Sequence, residues 1–230
     1  MKTYYLHFIF LSFITLLVCN GCNTSNDAGT VTDIDGNVYK TIQIGDQVWM
    51  AENLKVSHFR NGDPIPHSKS KIEWARYGEG IFSIYSQWAY PNFDVSNEEI
   101  YGKLYNWHAV NDPRGVAPKG WHIPSKDEWI KLADYLGKNA GKKMKSTNHW
   151  IATKYGFSPG SNKSCFNAVP SGGLSGVGSF GAFENKCFWW SSTTAGHINA
   201  WYFYLTSTSD VLTKNTDSQT SGNSIRCVKD

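Results

Sequence analysis

What this chain lacks first is charge of one sign. Lysine and arginine number 22 against 19 acids, a formal net charge of +3, and the two signs are interspersed. No basic stripe offers itself to phosphates, so a nucleic-acid partner is not expected. No proline- or serine-rich linker interrupts residues 31 to 230, which argues for one domain over that stretch. No period of 20 to 50 residues recurs, which excludes solenoids and propellers. Cysteine is scarce: beyond Cys22 only Cys165, Cys187 and Cys227 remain, so at most one bridge can form among those three. Export permits a bridge, and Cys165 with Cys187 is the expected pair, since both flank strand-like runs joined by a glycine-rich connection. Three reduced, buried thiols are the alternative.

Catalytic and metal motifs are also missing. The histidines at 58, 67, 108, 122, 149 and 197 form no H-E-x-x-H pair, and none neighbours a cysteine at metal-ligand spacing. Asp33, Asp35 and Asn37 alternate as calcium ligands would, but Gly36 comes two positions early and Ile44 stands where the closing glutamate belongs. An Asp-Gly hairpin turn accounts for them instead. Ser171-Gly-Gly is no nucleophile elbow, and Gly172-Gly-Leu-Ser-Gly176 lacks the lysine of a phosphate loop. The expectation is a non-enzymatic protein with no cofactor and no metal.

Residues 4 to 18 are almost wholly apolar or aromatic, preceded by Lys2. Too short for a comfortable membrane span, they fit the apolar region of a signal peptide. Gly21 supplies the small residue favoured before a cleaved bond, so residues 1–21 read as a lipoprotein signal. Cys22 then becomes the lipidated first residue, its acyl chains (palmitate among them) holding the protein to the bacterial envelope, most reasonably the outer membrane. A plain secretory peptide with an incidental cysteine is the other reading. One acyl chain anchors only marginally, and a fully lipidated cysteine carries several. Residues 22–30, polar and small, read as a flexible tether, and 31–230 as the folded domain.

Aromatic residues make up 15% of the chain against 40% hydrophobic overall, so large rings rather than aliphatics fill much of the interior. Short strands are predicted at 31–34, 38–44 and 48–54, joined by turns at Asp35-Gly36 and Gly45-Asp46. Residues 55–99 read as irregular, and 100–110 as ambiguous between strand and helix. Ser125 and Glu128 have the spacing of a capping box. Trp129, Leu132, Ala133 and Leu136 follow as one apolar stripe, and Gly137 stops it, which predicts a helix over 126–136. Further strands are predicted near 166–170, 188–192, 200–206 and 224–229.

One cluster points to binding. Phe188-Trp-Trp-Ser-Ser-Thr-Thr194 and Ala200-Trp-Tyr-Phe-Tyr-Leu205 place rings and hydroxyls alternately on two faces. Trp190, Ser192, Trp201, Tyr202 and Tyr204 are the candidate ligand-binding residues, with stacking rings and hydrogen-bonding hydroxyls suited to a glycan or to peptide side chains. Burial of both strands is the competing reading.

The ordered segments Asp33–Leu54, Gly102–Trp107, Pro118–Pro124, Phe166–Pro170, Trp190–Thr193, Ala200–Tyr202 and Ser224–Asp230 resemble the Fibrobacter succinogenes major paralogous domain. The resemblance spans about residues 31–230 and implies a secreted or lipid-anchored bacterial surface protein. More distantly, Ile123–Trp129 and Ser224–Cys227 are similar to segments of formylglycine-generating enzymes. That similarity implies an α+β, C-type-lectin-like fold with short twisted antiparallel strands, few helices and much irregular loop. The oxidase activity is not implied, because Trp201–Thr206 holds no cysteine where those enzymes need a pair. Nor are the calcium-binding motifs of sugar-binding lectins present, Val110-Asn-Asp112 being too partial. The expected function is a lectin-like ligand-binding module for a glycan or a protein. A structural or assembly role in an envelope complex is the alternative.

Overall fold

The computed structural model describes residues 26–78, 87–151 and 160–230; the expected signal peptide and Cys22 lie outside them. The described chain is an α+β arrangement of small antiparallel sheets with few helices. The strands β1 (Asp27–Thr32), β2 (Val38–Ile44) and β3 (Gln47–Met50) form successive hairpins. In β2 exposed and buried side chains largely alternate, as a half-buried strand requires. β1 starts inside the stretch expected to be tether. Its side chains are nearly all exposed, so it reads as polar linker, yet its backbone pairs with β2 from Asp27 to Thr32. At the turn between β2 and β3, Gly45 has φ +63°, and a Cβ there would come within 2.9 Å of the Tyr135 ring.

The sheet is completed from far along the chain. The closing strand β12 (Val228–Lys229) lies between β3 and β6 (Trp121–His122), giving the order β1-β2-β3-β12-β6. The expected strand at 224–229 is shorter in fact: Ser224 bridges Trp189 instead, and the buried residues 225–227 lie outside any ladder. A second sheet runs β11-β10-β9, from Thr213–Ser218, Asn199–Thr206 and Lys186–Thr194. Two small ladders pair β4 (Trp88–Ala89) with β5 (Leu104–Tyr105) and β7 (Gly173–Leu174) with β8 (Phe180–Gly181). The strand expected at 166–170 is only a single bridge from Ala168 to Lys145.

Helix α4 spans Lys126–Leu136 with its capping box formed. It buries Trp129, Leu132 and Leu136, each worth about 2 kcal/mol of apolar burial. These side chains join Trp49, Phe166, Trp189 and Phe203 in one aromatic core. Trp129 stacks on Phe203 with centroids 5.3 Å apart and meets Trp49 at 4.8 Å. The other helices are short: α1 (Lys71–Gly78), α2 (Glu98–Tyr101), α3 (Trp107–Val110) and α5 (Ala140–Met144). α1 falls inside the stretch read as irregular. Ser70 and Glu73 cap it in a related way: Ser70 Oγ accepts from Glu73 N, and the Glu73 carboxylate accepts from Lys69 N, one residue before the place Glu128 reaches in α4. No helix among the described residues is long and apolar enough to cross a membrane.

Candidate functional site

The motif residues converge first on a buried framework. Arg226 is fully buried; it donates from Nε to Asn53 Oδ1 at 3.0 Å and from its terminal nitrogens to the Met50, Phe166 and Asn167 carbonyls. Its guanidinium also lies over the Phe166 ring at 4.3 Å. Burial pulls its pKa down to about 9, which leaves it charged at neutral pH. Asn53 Oδ1 also accepts from Trp189 Nε1 at 2.9 Å, while Asn53 Nδ2 donates to the Tyr101 carbonyl. Segments far apart in the chain are thereby locked together by one amide and one guanidinium. Nearby, Cys187 and Cys227 are both buried free thiols. The expected Cys165–Cys187 bridge is therefore not formed. Cys187 faces the aromatic core from β9, and burial pushes both thiols up, away from thiolate chemistry.

The Asp33–Asn37 segment is a turn whose carboxylates already have donors. Asp33 accepts from the backbone of Asp35 and Asn37 and from the Tyr39 hydroxyl at 2.6 Å, and Asp35 accepts from Ser57 N.

The five residues singled out for binding divide. Register pairs Tyr202 with Trp190 and Tyr204 with Phe188, so these four share one face of the β9–β10 ladder. Trp190 is 0% exposed and donates from Nε1 to the Tyr105 carbonyl at 2.8 Å. It is core, because the Tyr105–Trp107 segment covers that end of the face. Ser192 is exposed, in a bulge where Ser191–Thr193 oppose Trp201; its backbone N–H donates to the Pro124 carbonyl and Thr193 Oγ1 accepts from Lys126 N. Trp201 is half-buried and lies under Lys126 Nζ at 4.9 Å. It alternates with Tyr202 and so serves the other face.

What remains is a patch of half-buried rings: Tyr202, Tyr204 and, overlooked in the sequence, Phe188. Tyr202 and Tyr204 are 5.7 Å apart, and Phe188 lies 5.8 Å from Tyr202 and 6.1 Å from Tyr204. Burial raises the Tyr202 hydroxyl, and the nearby Asp217 carboxylate raises it further.

Beside Phe188 opens a cavity of about 270 Å³. Its lining comes from the β7–β8 hairpin, through Leu174, Ser175 and Ser179, and from Phe188, Asp217 and Asn223. Asn223 is 3% exposed, and its Nδ2 is buried with no hydrogen-bond partner. Neither Asp217 nor Asn223 sits in a chemical motif, so only the fold could have brought them to the rings. A second cleft of about 300 Å³, lined by Glu52, Lys55, Glu99 and His149 among others, is more polar. Some of its groups answer one another: Lys55 Nζ pairs with Glu99 at 3.1 Å, and Asn162 Oδ1 accepts from Asn167 N.

Fold and site thus define an α+β protein of small antiparallel sheets, with an aromatic sheet face opening on a cavity. Residues 42–229 match the Fibrobacter succinogenes major domain, and the chain belongs to that family. No curated protein and no solved structure matches it.

Proposed function

We propose that this protein is a lipid-anchored component of the bacterial envelope whose domain binds a glycan, without catalysis, on the Phe188–Tyr202–Tyr204 face. The observation carrying this reading is that three rings on one sheet face stay half-exposed beside a cavity, while Trp189, Phe203 and Leu205 on the opposite face are buried. Aromatic platforms with polar groups at their rim suit the alternating apolar and hydroxyl faces of a sugar. The fold proposed is C-type-lectin-like, of the formylglycine-generating-enzyme kind. Short antiparallel strands, a capped helix and a closing strand inserted beside β3 support it. Export through residues 1–21 and lipidation at Cys22, with the outer membrane as destination, complete the proposal.

A glycan screen of the full chain in detergent tests it. Binding should fall at least tenfold on replacing Tyr202 and Tyr204 together by alanine, in a variant that still melts cooperatively. If binding survives that double change, or no glycan binds while envelope proteins co-purify, the assembly role replaces this reading. Cys22→Ser should move the protein from the membrane fraction to the soluble one and abolish incorporation of labelled palmitate.

A further inference from the structure

The cavity beside Phe188 carries an asymmetry that the ring patch does not explain. Among the described residues three buried donors lack partners: Trp49 Nε1, Trp129 Nε1 and Asn223 Nδ2. The two indoles lie within the aromatic core, where ring faces surround them. Asn223 instead lines an open cavity. A buried donor left unmet costs about 1–3 kcal/mol, so its retention at a cavity wall calls for an acceptor that arrives with a ligand. The same cavity is lined by the Asp217 carboxylate, an acceptor only, with one oxygen already receiving Ser218 N at 2.7 Å. Leu174, Phe188 and Ala182 make the remainder of the lining largely apolar.

We propose that this cavity receives the acylamino group of an N-acetylated amino sugar whose ring stacks on the neighbouring aromatic face. The inference rests on the glycan-binding reading above and names the sugar class. The acyl oxygen accepts from Asn223 Nδ2, the amide N–H or an adjacent hydroxyl donates to Asp217, and the methyl lies against Leu174 and Phe188. A simple hexose presents a hydroxyl where the acylamino group stands, and leaves the apolar lining without a methyl to cover it. A peptide amide offers the same polar atoms. The ring patch that adjoins the cavity through Phe188, however, matches a pyranose better than an extended backbone.

The experiment compares N-acetylglucosamine trisaccharide with glucose trisaccharide, two ligands of the same linkage and ring shape, by calorimetry on the full chain in detergent. The acetylated sugar should bind at least tenfold more tightly. Asn223→Asp, which keeps the shape and replaces the donor by an acceptor, should erase that preference while leaving the glucose oligomer unchanged. Asp217→Asn, on the edge strand, should reduce the preference several-fold and guards against a folding defect at the buried position. Saturation-transfer NMR should show the acetyl methyl as the most strongly contacted group in wild type and not in Asn223→Asp. Equal affinity for the two sugars, or a preference that survives both substitutions, overturns the inference and leaves the aromatic-face reading standing if Tyr202 and Tyr204 still matter. Failure of both sugars to bind sinks both readings. Asn223-dependent binding of an N-acetylated dipeptide amide alone overturns the sugar class.

Discussion

Trp190 and Tyr204 lie diagonally on the same ladder face and play opposite parts. The alternation of a strand assigns a side chain to a face, but what covers that face is decided elsewhere in the chain. At Trp190 the cover is the Tyr105–Trp107 segment: Trp190 donates to Tyr105, and Trp107 Nε1 donates to the Ser191 carbonyl at 2.9 Å. Replacing Trp190 by alanine should cost about 3–5 kcal/mol, the range for emptying a large buried aromatic site. Tyr204→Ala, at a half-buried site, should cost well under half as much. Urea melts of the two variants measure the difference, and equal losses would mean that the face is closed over both rings.

At the scale of the element, α4 shows how a local signal acquires a tertiary task. The Glu128 carboxylate caps its helix through Ser125 N at 2.8 Å, and also meets His122 Nε2 at 2.8 Å. His122 Nδ1 faces Asp230 at 2.7 Å. Both ring nitrogens meet acceptors, so the imidazolium is the form that satisfies both contacts. Burial alone would lower the His122 pKa, but the bonds to Asp230 and Glu128 outweigh it, and the value lies above the ordinary 6.5. Burial would raise Glu128, yet bonds from Ser125 and His122 bring it below 4.5. The histidine contribution is full below pH 6.5 and disappears as pH rises through the raised pKa. The glutamate contribution is full above pH 4.5 and disappears as pH falls through the lowered one. The stability difference between wild type and His122→Ala should therefore be greatest between pH 4.5 and 6.5 and shrink on either side. Thermal melts across pH 3 to 9 would show it, and a flat difference would mean that the two contacts contribute nothing. The second cap, Ser70–Glu73, escaped notice because the residues beneath it make no clear apolar stripe: Trp74 is buried but Ile72 is exposed. A cap without a periodic apolar face is a weak sign of a helix.

For the whole molecule, legibility follows the range of the interactions. The hairpins of β1–β3 and helix α4 were readable because their turns, caps and periodicities are written within a few neighbouring residues. β11 was not: Thr213–Ser218 is polar and edge-placed, and only its pairing with β10 makes it a strand. The Cys165–Cys187 pairing failed for a similar reason, since sequence neighbourhood says nothing of which way a thiol faces. The candidate site was half legible. Tyr202 and Tyr204 were found from strand alternation, whereas Phe188 was passed over, and Asp217 and Asn223 carry no motif at all.

The sequence by itself determined the α+β character, the family, the capped helix and the division of strands into two faces, because each of these is set by local backbone preference or by an ordered set of motifs. Which aromatic face stays open, which cysteines remain free and which polar groups meet at the cavity were decided only by the tertiary structure. Those outcomes depend on contacts such as Asn53 with Arg226 and Leu174 with Gly222. They join segments far apart in the chain, and no local rule specifies such meetings.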